Sequence, residues 1–165
     1  MKKLIVVRHA KSSWAEEGLS DIDRPLNDRG KKDAPEMARR LKEKDIKIDL
    51  FISSPAKRAK RTACYFAKEY KVDKKNIVLL DKLYTADLES FYDAIQRLSN
   101  DEKTVALFSH NPGITEFVNT LSNIRVDNMP TCGVFAVQSE AESWADFKAS
   151  EKNFLFFDYP KNPQY

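Results

Sequence analysis

The chain carries only two histidines, and both stand in settings suited to holding an anion. His9 directly follows Arg8, at the end of the apolar run LIVV. His110 lies in SHNPG, residues 109–113, which also closes an apolar run. Between them falls Arg58, in the segment SSPAKRAKR that begins at Ser53. A guanidinium presents forked donors that match phosphate oxygens. A neutral imidazole can attack phosphorus in line and carry the phosphoryl group, splitting one difficult step into two. Fixed cations and donors would then stabilise the charge spread over the equatorial oxygens. The chemistry these residues could perform together is phosphoryl transfer.

Each residue alone is a weak signal. A histidine at a strand end usually serves structure, and an arginine in a first helical turn opposes the helix dipole. Arg58 makes sense there if an anion lies between it and the helix N-terminus. The convergence of His9, Arg8, Arg58 and His110 favours a catalytic set in which Arg8, Arg58 and His110 bind phosphate. Successive strand residues point to opposite faces. Arg8 and His9 can therefore share a pocket only if the chain is already leaving the strand.

The elements that must position these groups follow from periodicity. Residues 4–7, 50–52, 77–80 and 104–108 are short, apolar throughout and rich in Val, Ile and Leu, the pattern of parallel strands buried on both faces. Residues 33–44 repeat apolar side chains at helical spacing, with Pro35 either in the first turn or inside a helix that starts near Asn27. Ser54 is the expected N-cap of the next helix and Pro55 its first residue. Residues 87–98 and 114–121 complete the helices. Two later strands, 133–138 and 153–158, flank a short turn or helical piece around Trp144. At least one should be antiparallel and one or both at a sheet edge, with the apolar NFLFFD covered on both sides. Alternating strands and helices predict an α/β three-layer sandwich, with a mostly parallel central sheet and helices on both faces. In such sheets ligands bind beyond the carboxyl ends of the strands, where both histidines fall.

The 165 residues suit one domain spanning 1–165, with 42% hydrophobic and 32% charged residues. No run approaches a membrane span and no signal-peptide pattern opens the chain, so a cytoplasmic location is expected. The two cysteines, Cys64 and Cys132, lack metal-site spacing, and reduced, buried thiols are expected. Basic residues exceed acidic ones by only 28 to 25, and no aromatics interleave the basic run at residues 56–61, so no nucleic-acid partner is expected. No GxxxxGK[ST] or GxGxxG occurs, no cysteine carries the arginine of a cysteine-phosphatase loop, and the first strand lacks an acidic pair. Arg8 and Arg58 would repel a metal cation, so neither metal nor cofactor is expected.

The motifs RHAKS, DRPLNDRG, SSPAKRAKRTA and SHNPGI, in this order, resemble those of the histidine phosphatase superfamily, and of its small SixA-type phosphohistidine phosphatases in particular. The resemblance implies a phosphoglycerate mutase-like fold, His9 as the phosphorylated nucleophile, and Arg8, Arg58 and His110 as the rest of the core. Ser12 would add a hydroxyl to the phosphate pocket, and Arg24 would lie near the entrance. Two departures stand out. Ala10 replaces the commoner glycine, as in SixA-type members. The glutamate acid of the larger branch is missing from KLYTADLE, where Asp87 or Glu89 could substitute only if the loop folds back. A site without a strong acid suits a P–N bond, because imidazole leaves readily where an alkoxide would need a proton. The expected activity is thus hydrolysis of phosphohistidine on a protein such as a histidine phosphotransfer domain, releasing inorganic phosphate. The alternatives are a phosphatase of small activated phosphoesters and a non-catalytic phosphate- or phosphohistidine-binding module.

Overall fold

A computed structural model describes residues 1–164. Its elements run β1 (Lys2–Arg8), α1 (Asp28–Glu43), β2 (Leu50–Ser53), α2 (Lys57–Glu69), β3 (Val78–Leu79), α3 (Leu88–Gln96), β4 (Thr104–Ser109), α4 (Gly113–Leu121), β5 (Val134–Ser139) and β6 (Lys152–Asp158). The six strands form one sheet in the order β3-β2-β4-β1-β5-β6. Pairings among β1, β2, β3 and β4 are parallel, whereas β5 and β6 join antiparallel. The sheet is the mixed central layer of an α/β sandwich, with helices on both faces.

The strand period of two sorts the core into two clusters. Leu4 and Val6 of β1, with Val105 and Leu107 of β4, face α3, α4, Trp144 and Phe147. Ile5, Val7, Ala106 and Phe108 face α1 and α2 on the other side. Strands apolar at every position are therefore required in the middle of the sheet, where helices cover both faces. Trp144 sits in a run of turns, fully buried, with its indole N–H donating to the Glu102 carbonyl at 2.6 Å.

Helix α1 takes the earlier of its two possible starts. Asn27 caps it by accepting the Gly30 N–H at 2.9 Å, which leaves Pro35 inside the helix. A Cβ at Gly30 would stand 2.2 Å from the Lys11 carbonyl oxygen, so α1 can press against the chain leaving β1 only with glycine there.

Three expectations need correction. Ser54 does not cap α2; the N-cap is Ala56, and both Ser54 and Pro55 precede the helix. Residues 77–80 shrink to a two-residue edge strand whose Val78 and Leu79 are exposed, because β3 has a neighbour on one side only. β6 is the opposite edge, and Phe154 and Leu155 are 37% and 38% exposed rather than covered. A bulge in the β5–β6 register leaves Leu155 unpaired. It brings Phe154 and Phe157 onto the same ring, Phe135, and sends Phe156 to the other core cluster. Of the two cysteines, Cys132 is buried and Cys64 only partly so, and both are free. No helix among the described residues is long and apolar enough to cross a membrane.

Candidate active site

The neighbouring parallel strands β2, β4 and β1 end side by side, and the site forms on that shared edge. β1 stops at Arg8, paired with Ser109, and His9 already lies beyond it. The His9 N–H still reaches the Ser109 carbonyl at 3.1 Å, while the carbonyls of Arg8 and His9 both take the N–H of Cys132. The departure from the strand lets Arg8 and His9 line one cavity, the geometric requirement set by their adjacency. On the far side the Ser54 N–H bonds the Phe108 carbonyl. His110 emerges between the two.

The cavity measures about 510 Å³ and is lined by Arg8, His9, Ser12, Arg24, Arg58 and His110, among others. The two imidazole centroids are 5.1 Å apart. His9, Arg58 and His110 are each only 7% exposed. All five residues assigned from the sequence (Arg8, His9, Ser12, Arg58 and His110) meet here.

His9 Nδ1 lies 2.7 Å from the Ala10 carbonyl, which can only accept, so the ring proton sits on Nδ1 and Nε2 keeps its lone pair. Burial, reinforced by the charges of His110, Arg58 and Arg8, pushes the His9 pKa down to about 3. The imidazole is neutral at physiological pH, as a nucleophile must be. Thr62 ties this segment to α2: its hydroxyl accepts the Ala10 N–H at 2.9 Å and donates to the Arg58 carbonyl at 2.8 Å.

His110 Nε2 is 2.7 Å from Ser54 Oγ, which also accepts the Ala56 N–H. Ser54 Oγ keeps a second lone pair, so either partner can donate; with the serine donating to Nε2, the ring proton lies on Nδ1. That Nδ1 is buried without a protein partner. Burial, followed by the Arg58 charge, lowers the His110 pKa to about 4. In the tautomer protonated on Nδ1, His110 offers an N–H donor from a neutral ring.

Arg8 donates through NH1 to the Met129 carbonyl at 2.7 Å, and its buried Nε has no partner. Burial and the nearby Arg58 lower its pKa. A buried donor left unpaired is costly, and an anion in the cavity would satisfy it. Ser12 Oγ accepts from Arg24 NH2 at 2.5 Å, and Arg24 lies 3.1 Å over the Trp14 ring.

Two placements escaped sequence reasoning. Asp21, in a 3-10 turn, binds Arg58 NH2 through Oδ2 at 3.0 Å, Arg24 NH1 through Oδ1 at 3.1 Å, and the Tyr84 hydroxyl at 2.6 Å. Tyr84 in turn sets its ring edge-on to His110 at 5.6 Å. The signal was Arg58 itself: a cation at a helix start calls for an anion, and a carboxylate of the chain answers that call. Asp87 and Glu89 line a separate groove with Lys82 and Lys148. Asp87 spends Oδ1 on capping α3 through the Ser90 N–H.

Residues 4–88 match the sequence profile of the histidine phosphatase superfamily, branch 1. The chain belongs to the histidine phosphatase superfamily. Relatives follow the same line. An uncharacterised chloroplastic protein of Arabidopsis thaliana is 29% identical over 155 residues, covering 88% of this chain and 70% of its own. Among solved structures, a protein described as phosphohistidine phosphatase SixA from Agrobacterium tumefaciens superposes with a TM-score of 0.80 at 24% identity, over 96% of this chain and 98% of that one. The protein histidine phosphatase SixA complexed with tungstate gives the same TM-score at 21% identity, over 96% and 97%. At these identities the structural likeness establishes the shared fold.

Proposed function

We propose that this superfamily member is a metal-independent phosphatase that hydrolyses phosphohistidine on a protein, through a phosphohistidine intermediate at His9. One observation carries the reading: the Ala10 carbonyl holds His9 Nδ1 and so leaves Nε2 free, in a cavity shared with two guanidiniums and His110. A binding module would need the cations but not an unprotonated nucleophile fixed in its tautomer. Arg8, Arg58, His110 and Ser12 hold the phosphoryl oxygens. Nε2 attacks phosphorus, imidazole departs with its electron pair, and water then releases inorganic phosphate and restores His9.

The P–N preference rests on proton supply. The carboxyls nearest the missing acid's place in sequence, Asp87 and Glu89, face another groove, so neither is placed to protonate an alkoxide. A phosphohistidine ring protonated at its distal nitrogen already carries the proton it needs and leaves as neutral imidazole. The test is incubation, with chelator present, of the protein with a phosphohistidine-bearing histidine phosphotransfer domain and separately with an aryl phosphate. Loss of label mainly from the former supports the reading; preference for the aryl ester points instead to small activated phosphoesters.

A further inference from the structure

In-line displacement puts nucleophile and leaving group on opposite sides of phosphorus. His9 forms the buried floor, so the leaving group faces the mouth. Asp21 does not itself line the cavity, but its side chain, 49% exposed, binds two residues that do, Arg58 and Arg24, which sets its carboxylate beside the mouth. The geometry points to Asp21 as the residue that receives the leaving group: it accepts a hydrogen bond from the distal N–H of the departing imidazole and so selects P–N substrates over anionic ones. The inference rests on the phosphohistidine reading above and explains how the site works without an acid.

The alternatives at the rim are already engaged. Arg24 spends Nε on the Ser13 carbonyl, NH1 on Asp21 and NH2 on Ser12, and Trp14 covers its face. It is poorly placed to welcome a substrate anion. Asp21 is fixed by three donors yet remains half in solvent. Tyr84, with Arg58 and Arg24, holds its carboxyl at about 2, so it carries no proton to give and acts only as an acceptor. In the transfer, the Nε2–phosphorus bond forms as the substrate P–N bond breaks. The substrate ring enters protonated at its distal nitrogen. The electron pair of the P–N bond stays on the nitrogen that leaves, and the distal nitrogen keeps that proton against Asp21. Neutral imidazole departs, and the positive charge passes to the His9 ring, which retains its Nδ1 proton. An alkoxide or carboxylate at the same place would meet repulsion.

A role confined to positioning Arg58 would affect all substrates alike, and the test separates the two. Asp21→Asn should lower kcat/KM for N-phosphoimidazole about tenfold more than for 4-nitrophenyl phosphate, the effect of one close charge near a wet rim. Equal losses on both substrates overturn the assignment. A second arm needs no turnover: calorimetry at pH 6 with imidazol-4-ylmethylphosphonate and benzylphosphonate. The unaltered protein should prefer the imidazole compound by about tenfold, and Asp21→Asn should abolish the preference. An undiminished preference in the variant overturns the inference. If the unaltered protein cleaves no P–N substrate, the functional reading fails, and the phosphonate ratio still decides what Asp21 does.

Discussion

Thr62 does not line the cavity, yet it joins the two halves of the site. It is fully buried, and its hydroxyl accepts the Ala10 N–H while donating to the Arg58 carbonyl. Thr62→Val keeps the shape and removes both bonds. Ala10 is itself fully buried, so its N–H is left without a partner or water, a loss of about 1–3 kcal/mol. The Arg58 carbonyl is less affected, being inside α2. Taking about 2 kcal/mol, a chain of this size should lose about 4–8 °C in Tm. The freed segment carries the His9 ring, and a shift of about 1 Å at a reacting atom costs on the order of a hundredfold in rate. Thermal unfolding and kcat/KM are measured on Thr62→Val and Thr62→Ser, the latter restoring the hydroxyl. Serine should recover most of the activity and valine should not. A valine variant as stable and active as the unaltered protein would refute the idea that this hydroxyl aligns the nucleophile.

The buried histidines make stability depend on pH in a defined direction. Native His9 and His110 titrate at about 3 and about 4, against about 6.5 when unfolded. Between those values the unfolded chain binds protons that the native state refuses, so stability rises with pH through that window and is lost on acidification from about 6.5 downward. Denaturant unfolding at pH 7 and pH 4.5 should differ by a few kcal/mol, and the ring NMR signals of both histidines should hold their neutral positions down to pH 5. Titration of either ring near 6.5 would contradict the burial argument. Asp87→Asn and Glu89→Gln should each leave kcat/KM within about twofold, because both face the separate groove and exposed charges that far off are largely screened. A tenfold fall in either would return that carboxylate to the mechanism.

The inner strands and the catalytic edge were legible because the physics there is local. β1 and β4 are apolar at every core position, and strand ends in parallel sheets gather polar residues from distant segments onto one edge. The outer strands were harder. Ile, Val and Leu in 77–80 look like a buried strand, but composition does not reveal how many neighbours a strand has, and β3 is an edge. For 153–158 an edge position is among the expectations and β6 takes it, whereas the expected cover over its Phe154 and Leu155 side chains is missing. The β6 bulge, which decides where each phenylalanine points, has no local signature in NFLFFD. Ser54 carries a capping residue's chemistry and was assigned to α2, whereas its hydroxyl serves His110 across 56 positions of sequence. Asp21 was overlooked for a related reason. It stands two residues from Asp23 in an unremarkable acidic loop, and only the folded chain separates the carboxylate that meets Arg58 from the one that bonds Ser20.

The central claim is that His9 Nε2 becomes covalently phosphorylated during turnover. The direct measurement is a rapid quench in alkali after mixing the protein, with chelator, and a histidine phosphotransfer domain carrying labelled phosphohistidine. Peptide mass spectrometry then locates the label. An alkali-stable, acid-labile phosphoryl group on the peptide containing His9, absent from His9→Ala along with turnover, is the predicted result. Turnover that continues in His9→Ala, or that never places label on His9, would contradict the account.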